Sequence, residues 1–325
     1  MKFLLILVAA STAFADTWIA HRYDNQRVLF FFAELPMSQP APAGEEIPPP
    51  QAQWGEAGKI VRLSEAQIRA MKLEQMQSGG TPTRVDLRLH ERLTLRIAGG
   101  LTATVEIEEF VHQTTCSDGF IGALARVVGG ADGYSATKLK YYVVGTWSDT
   151  PPAWKNTSIR KVDLDGSAKS TLEASLTAQL KAELPKTESG TPQWKAIDKA
   201  LAAGEGALTY DVQSVPVGRG GEFVYFVRAQ WTVRKRPAFL LSAWLTPSLE
   251  IQSVDAFMAG ALRMPDFENY NLNLGSLARI VNVFEVNGSP AVLITAEGLE
   301  SFSLDLIRYT NSGPKQTGVM WGYGC

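Results

Sequence analysis

The chain has 325 residues, 45% of them hydrophobic and 20% charged, the composition of a soluble globular protein with enough length to bury a sizeable core. Its 31 Lys and Arg against 33 Asp and Glu leave a formal net charge of −2, so no strong field draws it to nucleic acid or to an anionic bilayer. That length suits one large domain or two ordinary ones.

Residues 1–15 have the order of a signal peptide. Lys2 supplies the positive start, Phe3 to Ala10 ("FLLILVAA") the apolar stretch, and Ala13-Phe14-Ala15 the small residues a signal peptidase reads. The expected mature start is Asp16, and the expected location is periplasmic or extracellular. The apolar run is shorter than the roughly 20 residues that cross a bilayer, and no later segment reaches that length.

Residues 16–35 are expected to form an N-terminal hairpin, because Asp24-Asn25-Gln26 separates "TWIAHRY" from "RVLFFFAEL". Residues 36–53 are proline-rich without a period, which favours an extended, solvated linker. Residues 54–155 are expected as a first β-rich domain. In it "KIVRL" is a strand, and "SEAQIRAMKLEQMQSGG" is a short helix capped by Ser64, supported by Gln67 and stopped at Gly79. Val85, Leu87 and Leu89, then Leu93, Leu95 and Ile97, alternate with polar residues. Val105 and Ile107 alternate likewise, with Phe110 following after a slip. Such a period of two marks half-buried antiparallel strands. "FIGALARVV" and "KLKYYVVGTW" continue the meander on either side of a Gly-Gly-Ala-Asp-Gly turn.

Residues 156–325 are expected as a second β-rich domain with helices near 167–184 and 192–203. Leu172, Leu176, Leu180 and Leu184 recur every four residues among helix-favouring Ala, Lys and Glu. Thr191, Pro192 and Gly204 bracket the second helix. Strands resume with "ALTYDVQSV", "EFVYFVRAQWTV", "AFLLSAWL", "RIVNVFEV", "AVLITAEG" and "SFSLDLIRYT". The expected class is α+β, predominantly antiparallel β with a central helical insertion.

Two short stretches share a layout: "VDLDGSAK" from Val162 and "FEVNGSPA" from Phe284. Each places an acid, an apolar residue, Asp or Asn, then Gly-Ser. This resembles the strand–turn–strand calcium loop of integrin-like FG-GAP repeats over about 30 residues around each turn. The resemblance implies calcium ligands at Asp163, Asp165, Glu285 and Asn287, and a contribution to a propeller. The sequence departs from that pattern at Ser167 and Ser289, where the loop carries Asp, and again at Ala168 and Pro290. Calcium takes six to eight oxygens, and these turns offer two carboxylates and one. An Asp or Asn before Gly is equally the residue pair of a tight turn. The expectation is therefore a turn used twice, with calcium the one cofactor to test. Two copies do not make a closed propeller.

Cys116 and Cys325 are the two cysteines. Oxidising conditions outside the cell would favour a disulfide between them; two free thiols are the alternative. His21, His90 and His112 show no paired ligand spacing, and His112 and Cys116 alone do not complete a zinc site. No nucleophile elbow or phosphate loop is present. Glu297 and Glu300 are a weak carboxylate pair, "VRKRP" is a basic hairpin tip, and Trp147, Trp154, Trp321 and Tyr323 are turn-proximal aromatics. The expectation is a non-catalytic exported interaction or structural accessory module whose partner is a protein or a glycan, not nucleic acid. The alternative is a secreted hydrolase of polysaccharide or peptidoglycan that works through Asp or Glu.

Overall fold

Period-two alternation in the first half of the chain closes on itself. In this computed structural model, residues 16–35, 38–48, 59–74, 84–97, 100–114, 119–137, 139–147, 158–186, 192–218, 220–233, 236–258, 277–286, 289–297 and 301–324 are described. The first elements are β1 (Thr17–Arg22), β2 (Arg27–Leu35), β3 (Glu46–Ile47), β4 (Ile60–Leu63), α1 (Glu65–Ala70), β5 (Arg92–Ile97), β6 (Leu101–Thr114), β7 (Gly119–Gly129), α2 (Ala131–Ala136) and β8 (Tyr141–Gly145). Six strands form a ring in the order β1, β2, β7, β6, β5, β8 and back to β1, every neighbour antiparallel. Closure leaves the ring without an open edge.

Alternate residues fill the ring: Trp18 and Ala20, Val28 and Phe30, Leu93 and Leu95, Val105 and Ile107, Ala123 and Ala125, Tyr142 and Val144. Where alternation slips, the backbone bulges. The ladder shifts register between Ile107 and Glu109, which returns Phe110 to the interior, and between Phe31 and Ala33 on β2.

The ring's ends are closed by local segments. Gly130 holds a left-handed φ of 70°, and a Cβ there would stand 2.7 Å from the Thr102 carbonyl oxygen. The chain then makes α2 where only a turn is expected, and α2 buries Tyr134 in the mouth of the ring. The Tyr134 hydroxyl lies 2.9 and 2.8 Å from the carbonyl oxygens of Asp24 and Arg27, and the Arg22 guanidinium sits 4.7 Å over its ring. At the other end, residues 84–91 are irregular rather than the expected strand. The Arg84 and Glu91 side chains pair at 2.6 Å across the segment, and His90 adopts a φ of 62°. Leu87 still buries against the barrel interior.

α1 carries the expected capping box, with Ser64 and Gln67 bonded reciprocally, but ends at Ala70, well before Gly79. Gln67 also donates to the Ala43 carbonyl at 2.8 Å, and Ile47 is buried beside β4. This part of the proline-rich stretch is therefore docked on the barrel.

The second half begins with β9 (Arg160–Lys161), α3 (Gly166–Glu183), a 3-10 turn at Leu184–Lys186 and α4 (Pro192–Ala202). Then come β10 (Ala207–Pro216), β11 (Phe223–Val233), β12 (Arg236–Leu245) and β13 (Ile251–Met258), followed by β14 (Arg279–Val286), β15 (Ser289–Glu297), β16 (Ser301–Thr310) and β17 (Gly313–Gly324). They form a five-stranded sheet in the order β13, β12, β11, β10, β9 and a four-stranded sheet in the order β14 to β17.

These sheets stack on the barrel in layers. One face of the four-stranded sheet, with Phe284, Leu293, Leu304 and Trp321, packs on the barrel's outer residues Ile19, Leu29, Phe31 and Val143. Its other face, with Val283, Val292, Ile294 and Tyr309, packs on Val215, Val224, Phe226 and Trp244 of the five-stranded sheet. The far side of the five-stranded sheet receives the leucines spaced by four: Leu172 and Leu176 meet Val227 and Leu241, and Leu180 and Leu184 meet Trp231 and Phe239. The molecule is mostly antiparallel β, so the α+β description fits only in part. The central helices form the outermost layer of a sheet they also precede in sequence.

Trp321 is 3% exposed and touches rings from both layers, stacking on Phe31 with centroids 5.8 Å apart and meeting Phe302 at 6.0 Å. Trp321→Ala is expected to lower unfolding stability by about 3–5 kcal/mol, the range for truncating a buried large aromatic. Urea denaturation of the two proteins measures the difference.

Candidate functional site

The two look-alike turns take different structures. Asp165 is the N-cap of α3 but makes no side-chain cap bond, and both it and Asp163 are exposed. The first turn therefore joins a strand to a helix, the helix expected near 167–184. The second is a hairpin, because Val286 pairs with Ser289 across a two-residue connection. Asn287 lies in that connection, outside the described residues. The residues after the shared Gly-Ser explain the divergence. Ala168, Lys169 and the leucine face from Leu172 favour a helix packed on a sheet. Pro290 cannot donate to a helix but is tolerated near the start of a strand, and Ala291 to Ile294 are suited to a strand buried on both faces. Glu285 is 3% exposed within β14. Asp163 and Asp165 thus stand at the start of a helix in the outer layer, whereas Glu285 stands in the middle sheet.

The other sequence candidates are scattered. His90 is exposed, with Nδ1 3.4 Å from a Glu106 oxygen. His112 is buried in β6 beside Gly119, and burial lowers its pKa. His21 is buried on β1. No group of three or more His, Cys, Asp or Glu with metal-holding geometry occurs among the described residues. Cys116, Cys325, Trp154 and Glu300 lie outside the described residues, as do the side chains of Glu297 and Tyr323. Trp147 and Trp321 are buried between the barrel and the four-stranded sheet, where they pack rather than face solvent. "VRKRP" is a hairpin tip, with Val233 paired to Arg236.

A feature that motif reading does not reveal lies on the five-stranded sheet. The ladders align Asp211, Arg228, Ser242 and Asp255 in one row across β10 to β13. Their chain neighbours Val212, Val227, Leu241 and Ala243 face the helices, so the row shares the opposite face with Val215, Phe226 and Trp244. Val215, Phe226 and Trp244 on that face are covered by the four-stranded sheet, and the row runs beside them. The Arg228 Nε donates to Asp211 Oδ1 at 3.0 Å and its Nη2 pairs with Oδ2, a two-point contact that fixes both side chains. Ser242 is buried and Asp255 exposed, so the row ends in a carboxylate open to solvent. The sequence signal was the alternation of Thr209, Asp211 and Gln213 with apolar residues on β10, matched by Arg228 and Gln230 on β11.

A second polar pair lies on the four-stranded sheet. Ser303 donates to Asp305 Oδ2 at 3.3 Å, and Asp305 pairs across the ladder with Ile294 and Met320. Burial pushes the Asp305 carboxyl above its ordinary pKa, opposed by the Ser303 hydrogen bond. A carboxyl shifted in this direction holds its proton more readily, the property required of a general acid.

No family model matches the chain, and neither a curated protein nor a solved structure matches it.

Because Asp163 and Asp165 are exposed and sit at a helix start, calorimetric titration with calcium is expected to show no micromolar binding. The same flat titration is expected of Asp163→Ala.

Proposed function

We propose that the chain is an exported, non-catalytic β-rich protein that acts as an interaction or structural accessory module, with the polar row of the five-stranded sheet as its recognition surface. The aligned row of Asp211, Arg228, Ser242 and Asp255 carries this reading. Planar carboxylate and guanidinium groups held on a rigid sheet can hydrogen-bond the hydroxyls of a glycan or the backbone and side chains of a protein. The Arg228–Asp211 pair keeps the guanidinium in one orientation, so less rotamer entropy is lost on binding. Export rests on the order of residues 1–15. A bridge between Cys116 and Cys325 belongs to the same proposal: thiol counting on denatured, unreduced, exported protein is expected to find none free, and two per chain would end the idea.

The second reading is a secreted polysaccharide or peptidoglycan hydrolase, and the half-buried Asp305 favours it. One experiment separates the two. Purified protein is incubated with insoluble peptidoglycan and with polysaccharides, and both retention and soluble products are measured. The module reading expects retention without products, weakened about tenfold in Asp255→Ala and unchanged in Asp305→Asn, since one lost charged hydrogen bond is worth roughly 1.5 kcal/mol or more. Products that disappear in Asp305→Asn would establish the hydrolase instead.

A further inference from the structure

Asp16 stands immediately before β1, and its backbone φ is 52°, in the left-handed region that residues with a Cβ seldom enter. Its Oδ1 accepts from the Arg84 backbone N–H at 3.0 Å, and its carbonyl oxygen accepts from the Thr146 N–H at 3.4 Å. The β8 backbone also comes close, since a Cβ on Gly145 would stand 2.7 Å from that carbonyl oxygen. The next residue, Thr17, is already paired with Gly145 and is 1% exposed. These contacts fix Asp16, so the torsion cannot relax without pulling the start of β1 out of the ring.

The same residue holds the end of the barrel. The segment it grips runs from Arg84 to Glu91. The Arg84 guanidinium spans Glu91 with contacts of 2.6 and 3.2 Å and reaches Asp86 at 3.0 Å. Leu87, in the middle of the segment, is 4% exposed and packs with the barrel interior. One carboxylate oxygen thus ties the first residue of the ring to the segment that closes it.

We propose that cleavage between Ala15 and Asp16 is a stabilising step for the barrel: the leader imposes the left-handed torsion at Asp16, and its removal abolishes that torsion while leaving both Asp16 contacts in place. The proposal rests on the export reading above and gives processing a physical role. The basis is covalent geometry. At positive φ the carbonyl group of the preceding residue crowds Cβ, so the conflict lasts only while Ala15 is attached. Asp tolerates the region better than most residues, which puts the penalty at the low end, about fivefold in the folding equilibrium. A chain that still carries its leader closes the barrel less firmly, and processing completes the closure.

Urea denaturation of two forms of the chain tests this: one begins at Asp16, and one keeps Ala13-Phe14-Ala15 ahead of it. The form beginning at Asp16 is expected to have a folding equilibrium constant about fivefold larger. Asp16→Gly in both forms is expected to remove the difference. Glycine takes positive φ without the steric cost, and the lost carboxylate contact weakens both forms alike. Equal stability with Asp16 in place, or a difference that survives Asp16→Gly, overturns the proposal. Should Asp16→Gly not fold, exchange of the Arg84 and Thr146 amide hydrogens in the two unmutated forms decides instead. Exchange about fivefold slower in the form beginning at Asp16 supports the proposal, and equal rates overturn it. N-terminal sequencing of the natural protein keeps this apart from the export reading. A start at Asp16 with equal stabilities overturns the proposal alone, as does a cut elsewhere, and an intact Met1 overturns both.

Discussion

The four-stranded sheet is buried on both faces, and the rest of the architecture depends on that double burial. A sheet face is stable only when its apolar side chains leave water. Strands β14 to β17 present two such faces, so they need a partner on each side. The barrel's outer wall supplies one and the five-stranded sheet the other. The same requirement passes outward. Having given one face to the middle sheet, the five-stranded sheet has a second apolar face, and α3 and α4 cover it. The barrel needs no cover inside because closure turns its alternate residues towards one another.

This arrangement decides where polar groups can go. Chemistry-bearing side chains that fall on covered faces become packing groups: His21, Glu285 and Arg96 are each 3% exposed or less, and Arg96 lies with its guanidinium 5.1 Å over the Trp147 ring. Among the described residues, some polar side chains still sit together on sheet faces whose other residues pack on the next layer. The Asp211–Arg228–Ser242–Asp255 row is one such group, and Ser303 with Asp305 is another.

A layered stack is only as firm as its seams. The seam between barrel and middle sheet is built from aromatic rings and carries a titratable one among them. Edge-on and stacked rings from the two layers interlock there, so their packing fixes how the sheet sits on the barrel.

The sequence by itself determined what short-range physics governs. The Ala, Lys and Glu between Leu172, Leu176, Leu180 and Leu184 placed α3 within a residue at each end, because a spacing of four alone fits a strand as well as a helix and helix propensity decides between them. Ser64 with Gln67 located the start of α1, since a capping box is a local hydrogen-bond exchange. The slip before Phe110 was visible as broken alternation, and the structure shows the bulge there. Tertiary structure alone decided the rest. "RVLFFFAEL" and "AFLLSAWL" are continuous apolar runs because each strand is covered on both faces, but only the stack shows by what. β17, with its glycines and weak alternation, became a strand through pairing with β16, an interaction no local window contains. Asp163 and Glu285 head similar turns in sequence, yet the leucine face after one and Pro290 after the other sent the first into a helix and the second into a hairpin. The polar row is not legible in the sequence because its members come from four strands and meet only through ladder register, which is set by long-range pairing.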